Sequence, residues 1–261
     1  MKTLVGRVLL FLFFLLISAV AIPQEIDWVD IPMTTNSQKA LELYKAGISA
    51  MYEIKLNKAN DCCKKANELD SNFVMPNIWF ATRGFYFNNM TQFREYAAKA
   101  LKSTYTLNES EILLQKALKA LLDDPDSNVT MYGEELVKLN PKSILAHQTL
   151  ANFQKFAKDL EGVNKTYQTM LQLTKNPAPI YNALGYNYMA LGKINEALDA
   201  FDKYIKAEPK NPNSYDSMGD YYAKVEDYQK ARAYFMKAYT MDTVNFKFSY
   251  DKAVKIKPKY E

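Results

Sequence analysis

The sequence predicts an all-α fold, a solenoid of stacked helical hairpins, and three observations carry that expectation. The 261 residues include only 8 glycines and 10 prolines, so long stretches run without a helix breaker. Tyr181, Leu184 and Tyr188 stand three and four apart, the spacing of one helix face. The stretch that contains them is then restated at a fixed offset of 34 residues: Tyr181 with Tyr215, Gly185 with Gly219, Tyr188 with Tyr222, Ala197 with Ala231, Phe201 with Phe235. Like residues at a constant offset mark a unit whose copies pack on one another.

The elements follow in chain order. Residues 1–21 read as an export leader. Lys2 and Arg7 open it, an uncharged apolar run follows, and Ala19 and Ala21 stand where a signal peptidase reads. The run is shorter than the roughly 20 residues a bilayer span needs, and Pro23 ends it. The expectation is a cleaved signal peptide and a periplasmic or secreted protein if the host is bacterial. Membrane contact then arises only through that segment where it is left uncleaved. Residues 22–39 read as an extended segment carrying Trp28, Val29 and Ile31, followed by the start of the first helix.

Residues 40–245 read as about six hairpin units. The first shows Leu43, Ala46 and Gly47, then Ala59, Cys63 and Ala66. The second has a first helix around Trp79 to Phe87, then Phe93, Ala97 and Ala100. The third is degenerate: Leu113 and Ala117 precede a turn of Asp, Pro, Ser and Asn, and Pro141 closes the unit. The fourth gives His147, Leu150 and Ala151, then Val163 and Tyr167. The fifth reads Tyr181-x2-Leu184-Gly185-x2-Tyr188, Ala197-x3-Phe201, Pro209, and the sixth Tyr215-x2-Met218-Gly219-x2-Tyr222, Ala231-x3-Phe235. Gly185 and Ala197 let two helices approach, Phe201 fills the gap between them, and Pro209 stops the second helix. Residues 246–261 place Phe246, Tyr250 and Val254 at helical spacing among lysines, a capping helix and a basic tail over the last unit.

The fifth and sixth units resemble the tetratricopeptide repeat (TPR), a unit of about 34 residues patterned W-x2-L-G-x2-Y, A-x3-F, P. The resemblance implies a right-handed superhelix whose first helices line a concave side, where partner peptides or helices bind. It therefore implies a non-enzymatic scaffold or adaptor with a protein or peptide partner.

The remaining residues offer little chemistry. Net charge is +4, and Lys alternates with Asp and Glu throughout, so no nucleic-acid partner is expected. His147, the one histidine, falls in phase with Tyr181 and Tyr215 and reads as a packing residue. No glycine-rich phosphate loop or HExxH appears. The acid pairs Asp123–Asp124 and Glu134–Glu135 read as solvated surface. Cys62 and Cys63 are adjacent, which strains a disulfide between them, and Cys63 stands in the phenylalanine place of its unit. No catalytic residue, cofactor or metal site is expected. Two further readings stay open: a self-assembling structural subunit, hence a homo-oligomer, and, with least support, an envelope hydrolase working through carboxylates.

Projecting one face of the first helices gives two columns. One runs Tyr44, Ile78, Leu114, Gln148, Asn182, Asp216; the other runs Ile48, Thr82, Leu118, Asn152, Tyr186, Asp220. With Lys155 and Met189 they form the expected groove, apolar at its start, amide and tyrosine in its middle, acidic at its end. The functional expectation is an apolar anchor at the start, backbone hydrogen bonds to Asn152 and Asn182, and a basic group on Asp216 and Asp220. The alternative is a solvated inner face whose apolar end is covered by residues 22–35. Lys155 is the only positive charge expected in this lining, which argues against a clamp for a partner's terminal carboxylate.

Overall fold

The structure is a computed structural model that describes residues 31–52 and 55–256. The expected leader, residues 22–30 and the end of the basic tail lie outside the described residues. Among those described, thirteen helices and no strand occur. They are α1 (Gln38–Tyr52), α2 (Leu56–Leu69), α3 (Val74–Tyr86), α4 (Met90–Leu101), α5 (Glu109–Asp123), α6 (Thr130–Leu139) and α7 (Ile144–Phe156). The chain continues with α8 (Leu160–Leu173), α9 (Ala178–Ala190), α10 (Ile194–Ala207), α11 (Pro212–Lys224), α12 (Tyr228–Met241) and α13 (Lys247–Lys255). The first twelve pair into six successive hairpins, and α13 stands on the last as a half unit. The all-α expectation holds.

Each regular hairpin turns by the same device. A left-handed residue precedes the second helix: Asn88 at φ 55°, Lys158 at 59°, Gly192 at 72° and Glu226 at 62°. The last three are 34 residues apart, so the backbone repeats where the side chain does not. The next residue often caps the helix. Asn89, Asp159 and Asp227 accept from the backbone N–H of Gln92, Gly162 and Lys230 at 3.1, 2.8 and 3.1 Å. Only glycine adopts positive φ without steric cost. Lys158→Gly is therefore expected to stabilise the protein by about 0.5–1 kcal/mol. The check is a rise in the urea midpoint at unchanged m.

Within the fifth and sixth hairpins the two helices meet where a side chain is missing. A Cβ placed on Gly185 would stand 2.5 Å from the Phe201 ring, and one on Gly219 would stand 2.5 Å from the Phe235 ring. The first unit solves the same contact with a smaller group, since a Cβ on Gly47 would stand 2.7 Å from Cys63 Sγ. Cys63 is fully buried and its thiol pKa is pushed up to about 12, by burial first and by Cys62 second. It stays protonated and packs as a small apolar side chain. His147 Nε2 lies 3.0 Å from the Pro141 carbonyl, and the Tyr215 hydroxyl donates to the Pro209 carbonyl at 3.0 Å. The two residues are in one register and hold the same turn.

The first three units and part of α7 share one continuous apolar core, from Ile31 through Tyr44, Trp79 and Leu114 to Phe153. Later units hold smaller clusters, such as Ala197, Phe201, Met218 and Tyr221. That division suits a stack in which each unit meets only its neighbours. A hollow of about 1010 Å³ is walled by Lys55 and Leu56 on one side and by residues 207–212 and Phe248 on the other. The stack thus curves until its first and last units face each other.

Residues 31–35 dock on helix ends. Ile31 is 1% exposed. Thr34 donates its backbone N–H to Glu111 Oε1 at 2.7 Å and its hydroxyl to Oε2 at 2.5 Å. Asn108 Nδ2 donates to the Pro32 carbonyl at 3.1 Å, and the Thr35 hydroxyl donates to Asp70 at 2.5 Å. Glu111 also completes a capping box with Asn108 at the start of α5.

Candidate partner-binding groove

The first helices of four consecutive units, α1, α3, α5 and α7, wall one cavity of about 240 Å³. Residues four apart on a helix lie on one face, and each helix contributes such a pair. These are Tyr44 and Ile48, Ile78 and Thr82, Leu114 and Leu118, and Gln148 and Asn152. Met51, Met75 and Leu145 extend the apolar wall. Gln148 donates to Asn152 Oδ1 at 3.1 Å, which fixes the two amides against each other.

The charge of this cavity is positive. Arg83 and Lys155 line it, and among the described residues no Asp or Glu does. The Arg83 guanidinium lies 5.0 Å over the Trp79 ring and 5.3 Å over the Phe87 ring. Burial pulls its pKa below the ordinary arginine value, though a guanidinium stays charged. The Lys155 ammonium lies 5.3 Å over Tyr167 and 5.7 Å over Tyr86. Burial works against that charge, and the Tyr167 and Tyr86 phenols outweigh it, leaving the pKa raised. The expectation of Lys155 as the only positive group is corrected by Arg83. The weak second unit had left its inner face undefined. The signal that could have found Arg83 is its place one turn after Trp79, on the same face.

Trp79 is 8% exposed, and its indole Nε1 has no hydrogen-bond partner among the described residues. A buried donor left unpaired costs about 1–3 kcal/mol, so an acceptor brought to this wall would recover stability.

The other half of the expected groove is arranged differently. Asp216 is 4% exposed and accepts from the Ser249 hydroxyl at 2.7 Å and from Lys252 Nζ at 2.9 Å. Asp220 accepts from Lys252 at 2.9 Å and from the Tyr186 hydroxyl at 2.8 Å. Both carboxylates are thus taken by α13 and by the preceding unit, so the expected basic partner group is supplied from within the chain. Burial raises the Asp216 pKa, and the bonds from Ser249 and Lys252 hold that rise back without cancelling it. The Tyr186 ring stands edge-on to Phe201 at 5.2 Å. Met189 packs half-buried on the cluster around Phe201. Asn182 Oδ1 is buried without a partner among the described residues. Gln148, Asn152 and Lys155 therefore share the cavity, while Asn182, Tyr186, Met189, Asp216 and Asp220 do not line it.

Among the described residues no group of three or more His, Cys, Asp or Glu could hold a metal ion, and no helix is long and apolar enough to cross a membrane. Residues 178–211 match one tetratricopeptide-repeat family model, and residues 212–245 match a second. These two units are α9–α10 and α11–α12. No curated protein matches the chain.

Proposed function

Since this chain is a tetratricopeptide-repeat protein, we propose that it is a non-enzymatic adaptor that captures a partner polypeptide segment in the cavity walled by α1, α3, α5 and α7. Repeats of this kind serve as protein–protein interaction modules. The observation that carries the reading is the convergence of four first helices on one space. That space combines apolar walls, two amides, two cations and an indole N–H that has no partner among the described residues. Such a space fits a segment with an apolar anchor and nearby carboxylates, the anchor desolvated and the acids fixing orientation. The acids at the other end are occupied by Lys252, which favours an acidic partner over a basic one. The reading of residues 1–21 as an export leader supports a site of action outside the cytoplasm.

The test is a cross-linked pull-down from envelope extract with the chain from Ile22 onward as bait. Arg83→Glu and Lys155→Glu are each expected to lose a partner that the unaltered chain retains, by tenfold or more in recovered amount, with unchanged circular dichroism. A partner kept in full by both variants would move the binding site to another surface.

A further inference from the structure

The cavity has a candidate occupant within the same chain. Residues 23–30 read Pro-Gln-Glu-Ile-Asp-Trp-Val-Asp, with three carboxylates, no basic residue and the apolar side chains of Ile26, Trp28 and Val29. They lie outside the described residues and lead directly into the docked stretch that begins at Ile31. We propose that this segment is the cavity's own occupant, held with its apolar side chains on the α1–α5 wall and its carboxylates toward Arg83 and Lys155. The proposal rests on the reading of the cavity as a partner site, and makes the segment a built-in competitor for it.

Two observations support it. The first is reach. Pro32 and Thr34 are bonded to the first turn of α5, through Asn108 and Glu111. Leu114 and Leu118, further along the same helix, line the cavity. Seven residues of helix separate Glu111 from Leu118, about 10 Å at 1.5 Å per residue. Four residues of chain separate Pro32 from Trp28 and span up to about 14 Å. The second is complementarity. Among the described residues the cavity is lined by Arg83 and Lys155 and by no acid, and the segment carries Glu25, Asp27 and Asp30 with no base. Backbone carbonyls of the segment are acceptors, the group that the Trp79 indole lacks.

A segment tethered this close has an effective concentration of about 1 mM, and for a free-peptide dissociation constant of about 50 µM it would be bound some 95% of the time, weakening an added competitor roughly twentyfold. The probe is a fluorescein-labelled synthetic peptide of residues 22–30, followed by anisotropy against three forms of the chain from Ile22 onward. These are the unaltered chain, a form with Ile26→Ser, Asp27→Lys and Trp28→Ser, and that form with Arg83→Glu added. Circular dichroism checks that each is folded. The expected result is tight binding to the second form, roughly twentyfold weaker apparent binding to the first, and loss with the third. Equal binding to the first two forms would overturn occupancy by the chain's own segment. No binding to the second would overturn the segment as a ligand, and retained binding to the third would overturn the cavity as its site. In each of these cases a partner whose capture depends on Arg83 and Lys155 would leave the adaptor reading standing.

Discussion

Phe201→Ala is expected to lower stability by about 3–5 kcal/mol, the cost of removing a fully enclosed ring from a site with little freedom to collapse. The ring is completely buried, with Tyr186 at 5.2 Å and Tyr221 at 6.3 Å between ring centroids. It also fills the space left by Gly185. Because each unit is supported by its neighbours, the loss should fall first on α9–α12. Native-state hydrogen exchange would then show amides of α9–α12 losing protection while those of α1–α4 keep it. Gly185→Ala alone is expected to cost about 1–3 kcal/mol by driving a methyl into that ring. In the Phe201→Ala background the same methyl enters vacated space, so the two changes should be far from additive. Urea unfolding of the four proteins measures this. Additivity within about 0.5 kcal/mol would show that Gly185 and Phe201 do not set the approach of α9 and α10.

Lys252→Met should cost about 3 kcal/mol near neutral pH, because it leaves the buried Asp216 carboxylate without its cation. Methionine keeps much of the stem that crosses Phe235 and Phe248, so the loss is chiefly electrostatic; the ammonium sits 4.9 and 5.4 Å from those rings. The pH dependence carries a definite sign. Asp216 already has a folded-state pKa above its ordinary 3.8 through burial, and removing Lys252 raises it further. The folded variant then binds a proton that the unfolded chain has released, so its stability falls as pH rises from 3.8 through the folded value. The deficit relative to the unaltered protein should therefore be small at acid pH and largest near neutrality. Adding Asp216→Asn should recover much of it, since an amide needs no counter-charge. A deficit that does not change with pH, or is not relieved by Asp216→Asn, would place the cause elsewhere in α13.

How far the chain was legible depended on how local each instruction is. The regular hairpins of the fifth and sixth units could be read directly. Their helix face, close-approach glycine, filling phenylalanine and terminating proline all act within one unit, and the 34-residue offset showed them twice. Cys63 could be placed in the core by the same register, and His147 could be recognised as a packing residue before its bond to Pro141 was seen. The second unit was harder. Its first helix is apolar or aromatic at most positions, with an unbroken apolar run from Ile78 to Ala81, so periodicity could not say that Arg83 and Trp79 face inward.

The repeat register also placed Tyr44, Ile48, Ile78, Thr82, Leu114, Leu118, Gln148 and Asn152 on one surface, because a solenoid turns equivalent residues the same way. Which charges on that surface remain unmatched was decided only in three dimensions. Asp216 and Asp220 look like open acids until α13 brings Ser249 and Lys252 against them from more than thirty residues away. Thr34 and Asp70 likewise show nothing of the path of residues 31–35 until the ends of α2 and α5 come together. The chain's pattern determined the units and the faces they present. The sign of the groove depended on which distant element covers which carboxylate, and charge pairing across a stack is set by packing.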